Sequence, residues 1–329
     1  MEFRLIVKKN INAKRAVDAL VNEFNISSQM QKRIRLYGNL WINGKLARMI
    51  DPVYTGDLIV AHPVKDATLL TPAKINSIPG VEILFEDDHL IVVNKPSNLV
   101  VHPTMSHPDN TLLDLLSEQK LHSVTRLDRE TTGALIIAKH PHAHYRIVQN
   151  PIKRIYWAFT HGHWPKDQAS LVHPIKRDPD SIMIRIVDQK GRAAITHYSV
   201  VKSYSAENFD WVEFELETGR THQIRVHSLF SARPLLGDGL YGIADYCTFD
   251  ADSNFRIINH LFSSNRINPE FQKDFANLLT KEQLTLDKKI KRQALHSRLI
   301  GFVHPITQQY LEFEAEMPSD MEQIISVSD

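Results

Sequence analysis

Residues 123–139, SVTRLDRETTGALIIAK, constrain this chain more than any other stretch. Arg126, Asp128, Arg129 and Glu130 crowd into five positions, and Thr131, Thr132 and Gly133 then lead into the apolar run 134–138. That run is too short and too evenly apolar for a half-exposed strand, so it reads as a strand covered on both faces. Residues 131–133 read as a tight turn, with Gly133 free to take a positive φ. Such a turn holds Asp128 at the rim of a core beside guanidiniums that favour its carboxylate form. Asp128 is thus a candidate nucleophile or general base. A loop of surface ion pairs explains the same stretch, and nothing within it decides between the two.

A chain of 329 residues predicts one large or two unequal domains, and 43% hydrophobic residues suffice for a substantial core. Cys247 is the single cysteine, which excludes an intramolecular disulfide framework and a multi-cysteine zinc site. There is neither a signal-peptide pattern nor an apolar run of about 18 residues, so the reading is a cytoplasmic protein with no membrane partner. The net charge of +1 conceals an uneven distribution: residues 1–50 hold ten Lys and Arg against three Asp and Glu. A basic N-terminal module on a neutral body suits a polyanionic partner.

Helical spacing of Ala16, Val17, Leu20, Val21 and Phe24 predicts a first helix, and residues 26–28 offer a cap for a second helix through Arg35, ended by Gly38. Asn43-Gly44 is a hairpin signal, and Gly56-Asp57 introduces a strand over 58–61. Lys32, Arg33 and Arg35 fall on the second helix. Prolines at 63, 72 and 79 place a linker over 65–80, between a small domain at 1–64 and a catalytic domain at 81–329. Strands are expected over 81–85 and 89–93, and a helix over 111–118. His102 and His107 read as loop residues rather than metal ligands. Pro141 suits the first turn of a helix to Asn150 that scatters His140, His142 and His144 over its surface. Residues 153–159 alternate as a strand, with Ile155, Trp157 and Phe159 facing the core and Arg154 and Tyr156 facing away. Thr221 is the expected N-cap of a helix carrying His222 and Arg225. The fold class expected is α+β, a mixed, mainly antiparallel central sheet with flanking helices, plus the small N-terminal αβ domain.

Two resemblances sharpen this reading. SSQMQKRIRLYGNLWINGK with the later TGDLI is similar to the α-L RNA-binding module of a small-subunit ribosomal protein and many RNA-modifying enzymes. In order, EDDHLIVVNKPSNLVVHP, TRLDRETTGALIIAK, KRIYWAF, ETGRTHQIRVH, GDGLYG and ALHSRLIGFVHP resemble the RluA-type family of pseudouridine synthases. The resemblance implies that Asp128 is the catalytic carboxylate and that Arg126 fills the space vacated by a flipped nucleotide. It further implies that Tyr156 stacks on uracil and assists proton removal from C5, while Arg225 pairs with Asp128. Converting uridine to pseudouridine moves the ribose C1′ bond from N1 to C5 without net oxidation, so no metal or cofactor is expected. The partner implied is RNA, with large-subunit ribosomal RNA the expected target, acted on by a monomer.

Three positions depart from the family pattern: Thr125 stands where histidine is usual, Thr132 where serine is, and Asn98 where glycine is. Thr132 keeps the hydroxyl, whereas Thr125 removes an imidazole next to the displacing arginine. The segment from 243 to 293 is longer than usual and reads as a peripheral helical hairpin or a substrate-contacting insertion. Two rivals remain at this point. An RNA-binding ribosome assembly factor with weak or lost catalysis predicts full function after loss of Asp128. A glycosidase-like hydrolase using Asp128 with Glu130 predicts free uracil as product.

Overall fold

A computed structural model describes residues 2–8, 15–63, 74–104, 107–243 and 266–328. The N-terminal unit pairs β1 (Phe3–Ile6), β2 (Asn39–Ile42), β3 (Lys45–Ala47) and β4 (Leu58–His62) in the order β1-β4-β2-β3, all antiparallel. Two helices cover it, α1 (Ala16–Phe24) and α2 (Ser28–Tyr37). The Ser27 hydroxyl accepts from Met30 N at 3.2 Å, which caps α2 as the sequence predicts, and Gly38 ends it. Leu20, Ile34, Leu40 and Ile59 form a separate hydrophobic cluster here. Strand β1 has no counterpart in the sequence reading.

The remaining strands are β5 (Glu82–Glu86), β6 (Leu90–Lys95), β7 (His122–Ser123), β8 (Thr132–Ala138), β9 (Lys153–His161), β10 (Gln168–Val172), β11 (Ile175–Arg177), β12 (Arg185–Val187), β13 (Ile195–Tyr204), β14 (Phe209–Leu216), β15 (Leu295–Val303) and β16 (Tyr310–Glu314). Most join one sheet in the order β10-β13-β14-β9-β15-β8-β6-β5, with β16 added to β15 and β7 to β8. Only the β15–β8 pairing is parallel among the described strands, so the sheet is mixed and mainly antiparallel. Helices α3 (Leu112–Leu116), α4 (Pro141–Val148) and α5 (Gln223–Phe230) lie between its strands in sequence. The class is the α+β one expected, and ahead of β5 Ile75 and Ile78 already pack on the largest cluster of this body.

Every residue of β8 is buried, as its unbroken apolar run predicts. The turn lies earlier than expected. Thr132 and Gly133 belong to the strand, and the reversal closes where Thr131 N donates to Asp128 O at 3.1 Å. Gly133 has φ +109°, and a Cβ there would lie 2.2 Å from Ser297 O on β15. Only glycine lets β15 approach this closely.

Four further expectations change. The alternation along β9 is correct, but Tyr156 is only 7% exposed and packs with Ala158 in the largest cluster, because both faces of this strand are covered. His140 is a buried N-cap rather than a surface residue: its Nδ1 accepts from Ala143 N at 3.2 Å, and its Nε2 lies 3.0 Å from His89 Nδ1. The N-cap position of helix α5 is taken by His222 instead of Thr221, in the left-handed region at φ 58° and without a side-chain capping bond. Part of the 243–293 segment lies outside the described residues. Its described helices, Gln272–Leu278 and Lys281–Asp287, bury Phe275, Leu284 and Leu286 against the body, so this portion is integral rather than peripheral.

Candidate active site

The sheet register builds the site. Ser297 on β15 pairs with Gly133 on one side and Tyr156 on the other, so Tyr156, Ser297 and Gly133 form a row across three strands. Asp128 sits on the turn just before that row. Its chain is fixed by buried groups from distant elements. Lys95 Nζ, fully buried, donates to the carbonyls of Pro96 at 2.8 Å, Leu99 at 2.9 Å and Arg129 at 2.9 Å. Arg292 Nη1 donates to Glu130 O at 3.3 Å, and Gln293 Nε2 to Thr131 Oγ1 at 3.1 Å. The turn is therefore held by side chains that use backbone carbonyls and the Thr131 hydroxyl as acceptors, leaving the Asp128 carboxylate free for other work.

That carboxylate meets Arg225 from α5: Nη1 donates to Asp128 Oδ2 at 2.8 Å. Arg225 is 6% exposed and is itself clamped by Asp238, whose two oxygens accept from Nε and Nη2, each at 2.7 Å. Leu240 N and Tyr241 N donate to Asp238 Oδ1, and the Arg225 guanidinium lies 5.0 Å from the Tyr241 ring centroid. Burial opposes the Arg225 charge, yet Asp238 first and Asp128 second more than offset it and hold its pKa above the ordinary arginine value. Burial likewise pushes Asp238 up, but Arg225 and the two backbone donors leave it below the usual carboxylate range. One arginine thus stands between two carboxylates, one buried and structural, the other 28% exposed by side chain and open to a ligand.

Tyr156 is buried on β9, where burial raises its pKa, the Arg154 charge opposes that, and the nearby Asp128 charge adds to it. It therefore remains a neutral phenol. Arg126 is exposed two residues ahead of Asp128, and its charge reaches half-buried His102. Asp128, Arg225 and Tyr156 are brought together; Lys32, Arg33 and Arg35 lie on α2 of the N-terminal unit, where Lys32 and Arg35 are exposed. Glu130 is taken by Arg129 Nε at 2.7 Å.

The three departures acquire local reasons. Asn98 adopts φ 58°, a conformation that asparagine tolerates best after glycine. Thr132 Oγ1 lies 2.9 Å from His296 Nδ1 in the core, and Thr125 Oγ1 accepts from Ile136 N at 3.3 Å. Thr125 thereby bonds to the second half of β8 rather than facing out as a free side chain. Lys95, Asp238, Tyr241 and Arg292 had no assigned role in the sequence reading, although the first three fall inside quoted motifs. The signal was there as residue type, a lone lysine and a lone aspartate in otherwise apolar or glycine-rich runs, but their partners are far away in sequence.

Among the described residues no helix is long and apolar enough to cross a membrane. The sequence pattern of the RNA pseudouridylate synthase family matches residues 89–229. An uncharacterized RNA pseudouridine synthase, YjbO, of Bacillus subtilis is 30% identical over 94% of this chain and 98% of its own length. The ribosomal large subunit pseudouridine synthase D of Buchnera aphidicola is 32% identical over 89% of this chain and 87% of its own, and that of Escherichia coli O157:H7 is 30% identical over 99% and 94%. Among solved structures, human RNA pseudouridylate synthase domain containing 1 shares the fold with a TM-score of 0.51 at 18% identity, covering 77% of this chain and 96% of that one. With its ordered motifs, mixed sheet and full-length relatives, the chain belongs to the RluA-type family of RNA pseudouridine synthases, isomerases that convert uridine to pseudouridine in RNA.

Proposed function

We propose that this enzyme modifies large-subunit ribosomal RNA and that Asp128 is its catalytic carboxylate. The observation that carries the reading is the Arg225 bridge, which fixes Oδ2 of Asp128, leaves Oδ1 unbonded by the arginine and leaves the side chain 28% exposed. Arg225, itself held by Asp238, cannot deprotonate at working pH and so aims the anion without competing for a proton.

In the reaction the N1–C1′ bond breaks with its electron pair passing to uracil. Asp128 either captures C1′ or removes the C2′ proton, and the released base turns. C5 then bonds to C1′, displacing the Asp128 carboxylate on the first route or with Asp128 returning the proton to C2′ on the second; the C5 proton leaves to solvent and N1 regains a proton, so substrate and product have the same atoms. Tyr156 stacks on the base and assists removal of the C5 proton. Arg126 enters the space left by the flipped nucleotide and offsets part of the unstacking cost of a few kcal/mol. Residues 1–64 act as an RNA-binding domain through Lys32, Arg33 and Arg35, residues 65–80 link it to the catalytic domain at 81–329, and the enzyme works as a cytoplasmic monomer.

The relatives named for the ribosomal large subunit support this target. Transcripts of large-subunit RNA, small-subunit RNA and tRNA carrying tritium at uridine C5 separate the alternatives. Release from large-subunit RNA alone is expected, and release confined to tRNA would contradict the proposed substrate.

A further inference from the structure

His222 occupies the left-handed region at φ 58°, a conformation that is unfavourable for a histidine and that folds retain where geometry demands it. The geometry here is a chain of hydrogen bonds ending beside Asp128. Arg185 N donates to Tyr241 Oη at 2.8 Å, and the same oxygen lies 2.9 Å from His222 Nδ1. Tyr241 is 1% exposed, so its hydroxyl hydrogen must find an acceptor, and among the described residues Nδ1 of His222 is the one within reach. Tyr241 therefore donates to Nδ1, and neutral His222 carries its proton on Nε2. That nitrogen lies 3.8 Å from Oδ1 of Asp128, the oxygen that Arg225 leaves unbonded. A gap of 3.8 Å is too long for a hydrogen bond. The donor has no hydrogen-bond partner among the described residues and lies beside the oxygen at which a substrate would react.

We infer that His222 is a further catalytic residue, a neutral imidazole whose Nε2–H donates to O2 of the bound uracil as the glycosidic bond breaks. The inference rests on Asp128 being the reacting carboxylate. When the N1–C1′ pair passes to uracil, negative charge spreads onto O2, the base oxygen next to N1. O2 is three bonds from C1′, through N1 and C2, so a donor beside the carboxylate that engages C1′ or C2′ is on the same side of the reacting bond, and a preorganised donor there stabilises the charge as it develops. No protons or electrons beyond those of the isomerisation are required.

The groups facing His222 keep it neutral. Burial lowers its pKa first, Asp128 opposes that, Arg225 adds to the lowering, Asp238 opposes and Arg185 lowers again, for a net shift below the ordinary 6.5. Tyr241 is held above its usual range by burial and stays a donor. Activity that needs neutral His222 is full near pH 7 and is lost as the pH falls through a value below 6.5.

The test compares full-length wild type with His222→Asn, His222→Gln, Tyr241→Phe and Asp128→Asn by single-turnover isomer formation at saturating RNA, alongside RNA affinity and thermal melting. Asparagine accepts the left-handed backbone but does not reach the Nε2 position; glutamine reaches it and does not titrate. His222→Asn is expected to slow the chemical step at least tenfold with RNA affinity within twofold. His222→Gln should recover several-fold of that loss and abolish the histidine acid limb. Tyr241→Phe, having lost the donor to Nδ1, should move that limb to higher pH. RNA with 2-thiouridine at the target, whose sulfur is a poor acceptor, should slow wild type toward His222→Asn and leave His222→Asn little changed. A wild-type rate in His222→Asn, a loss that resides wholly in affinity, or equal 2-thiouridine slowing in both enzymes overturns the inference. An inactive Asp128→Asn beside a fully active His222→Asn sinks the role of His222 alone, whereas an active Asp128→Asn removes the assignment on which it rests.

Discussion

The Asp128 turn and helix α2 both carry clustered charge, but they are built in opposite ways. At the turn, Lys95, Arg292 and Gln293 reach in from other parts of the chain to hold backbone and hydroxyl oxygens, while Asp238 clamps the arginine that clamps Asp128. On α2, Ile34 is buried and the helix is capped by Ser27, yet Lys32 and Arg35 stand exposed, with the Arg35 carbonyl receiving Lys120 Nζ at 3.4 Å. Chemistry requires charge at a fixed place, because a displacement of about 1 Å is worth roughly a hundredfold in rate. Attraction for a phosphate backbone requires charge that is merely close, and solvated side chains supply it.

Removing Arg225 breaks the fixed site at its centre. Arg225→Met is expected to lower the chemical rate by about a thousandfold and to destabilise the fold by about 3–5 kcal/mol, because buried Asp238 loses its counter-charge. Combining it with Asp238→Asn should restore most of the melting temperature but not the rate. If both return together, the clamp on Asp238 rather than the bridge to Asp128 matters for catalysis. Gly133→Ala acts one step away: with a Cβ 2.2 Å from Ser297 O, β8 and β15 must part. A rate loss of about tenfold to a hundredfold with unchanged RNA affinity is expected from fluorescence binding and single-turnover assays.

Charge reversal at Lys32 and Arg35 should leave that rate unchanged and weaken RNA binding about tenfold, with a shallower dependence of affinity on salt. Loss of the single-turnover rate at saturating RNA would erase the contrast between the two regions. The smallest effect concerns three buried histidines of the larger body. Burial pushes His140, His227 and His296 down to about 4. The unfolded chain binds protons at these positions from pH 6.5 downward and the folded one does not until about 4, so their contribution is complete above pH 6.5 and fades as the pH falls through that window. Melting followed by circular dichroism between pH 7 and pH 5 should lose on the order of 1 kcal/mol per histidine. His296→Gln should flatten the slope.

Residue pattern alone was enough for some elements and insufficient for others. The unbroken apolar run of β8 can only be a doubly covered strand, and Asn43-Gly44 can only be a tight turn, so both were legible locally. The pairing of Asp128 with Arg225 spans 97 positions and was reachable only through ordered motifs. Tyr156 shows what alternation leaves out: it gives two faces but not which is deeper, and a polar hydroxyl argued for the wrong one. Helical spacing scatters His140, His142 and His144 over the helix surface, whereas the His140 imidazole is spent as a cap. His222 escaped because a histidine in the left-handed region has no local signature, and Lys95 because a lysine saturated by three carbonyls looks in sequence like any other.

The most direct measurement is Asp128→Asn in the full-length enzyme, followed by tritium release from C5-labelled RNA, with RNA affinity and melting measured on the same preparation. The account predicts no detectable release from a folded protein that binds RNA as wild type does. Release at a rate within tenfold of wild type would contradict it.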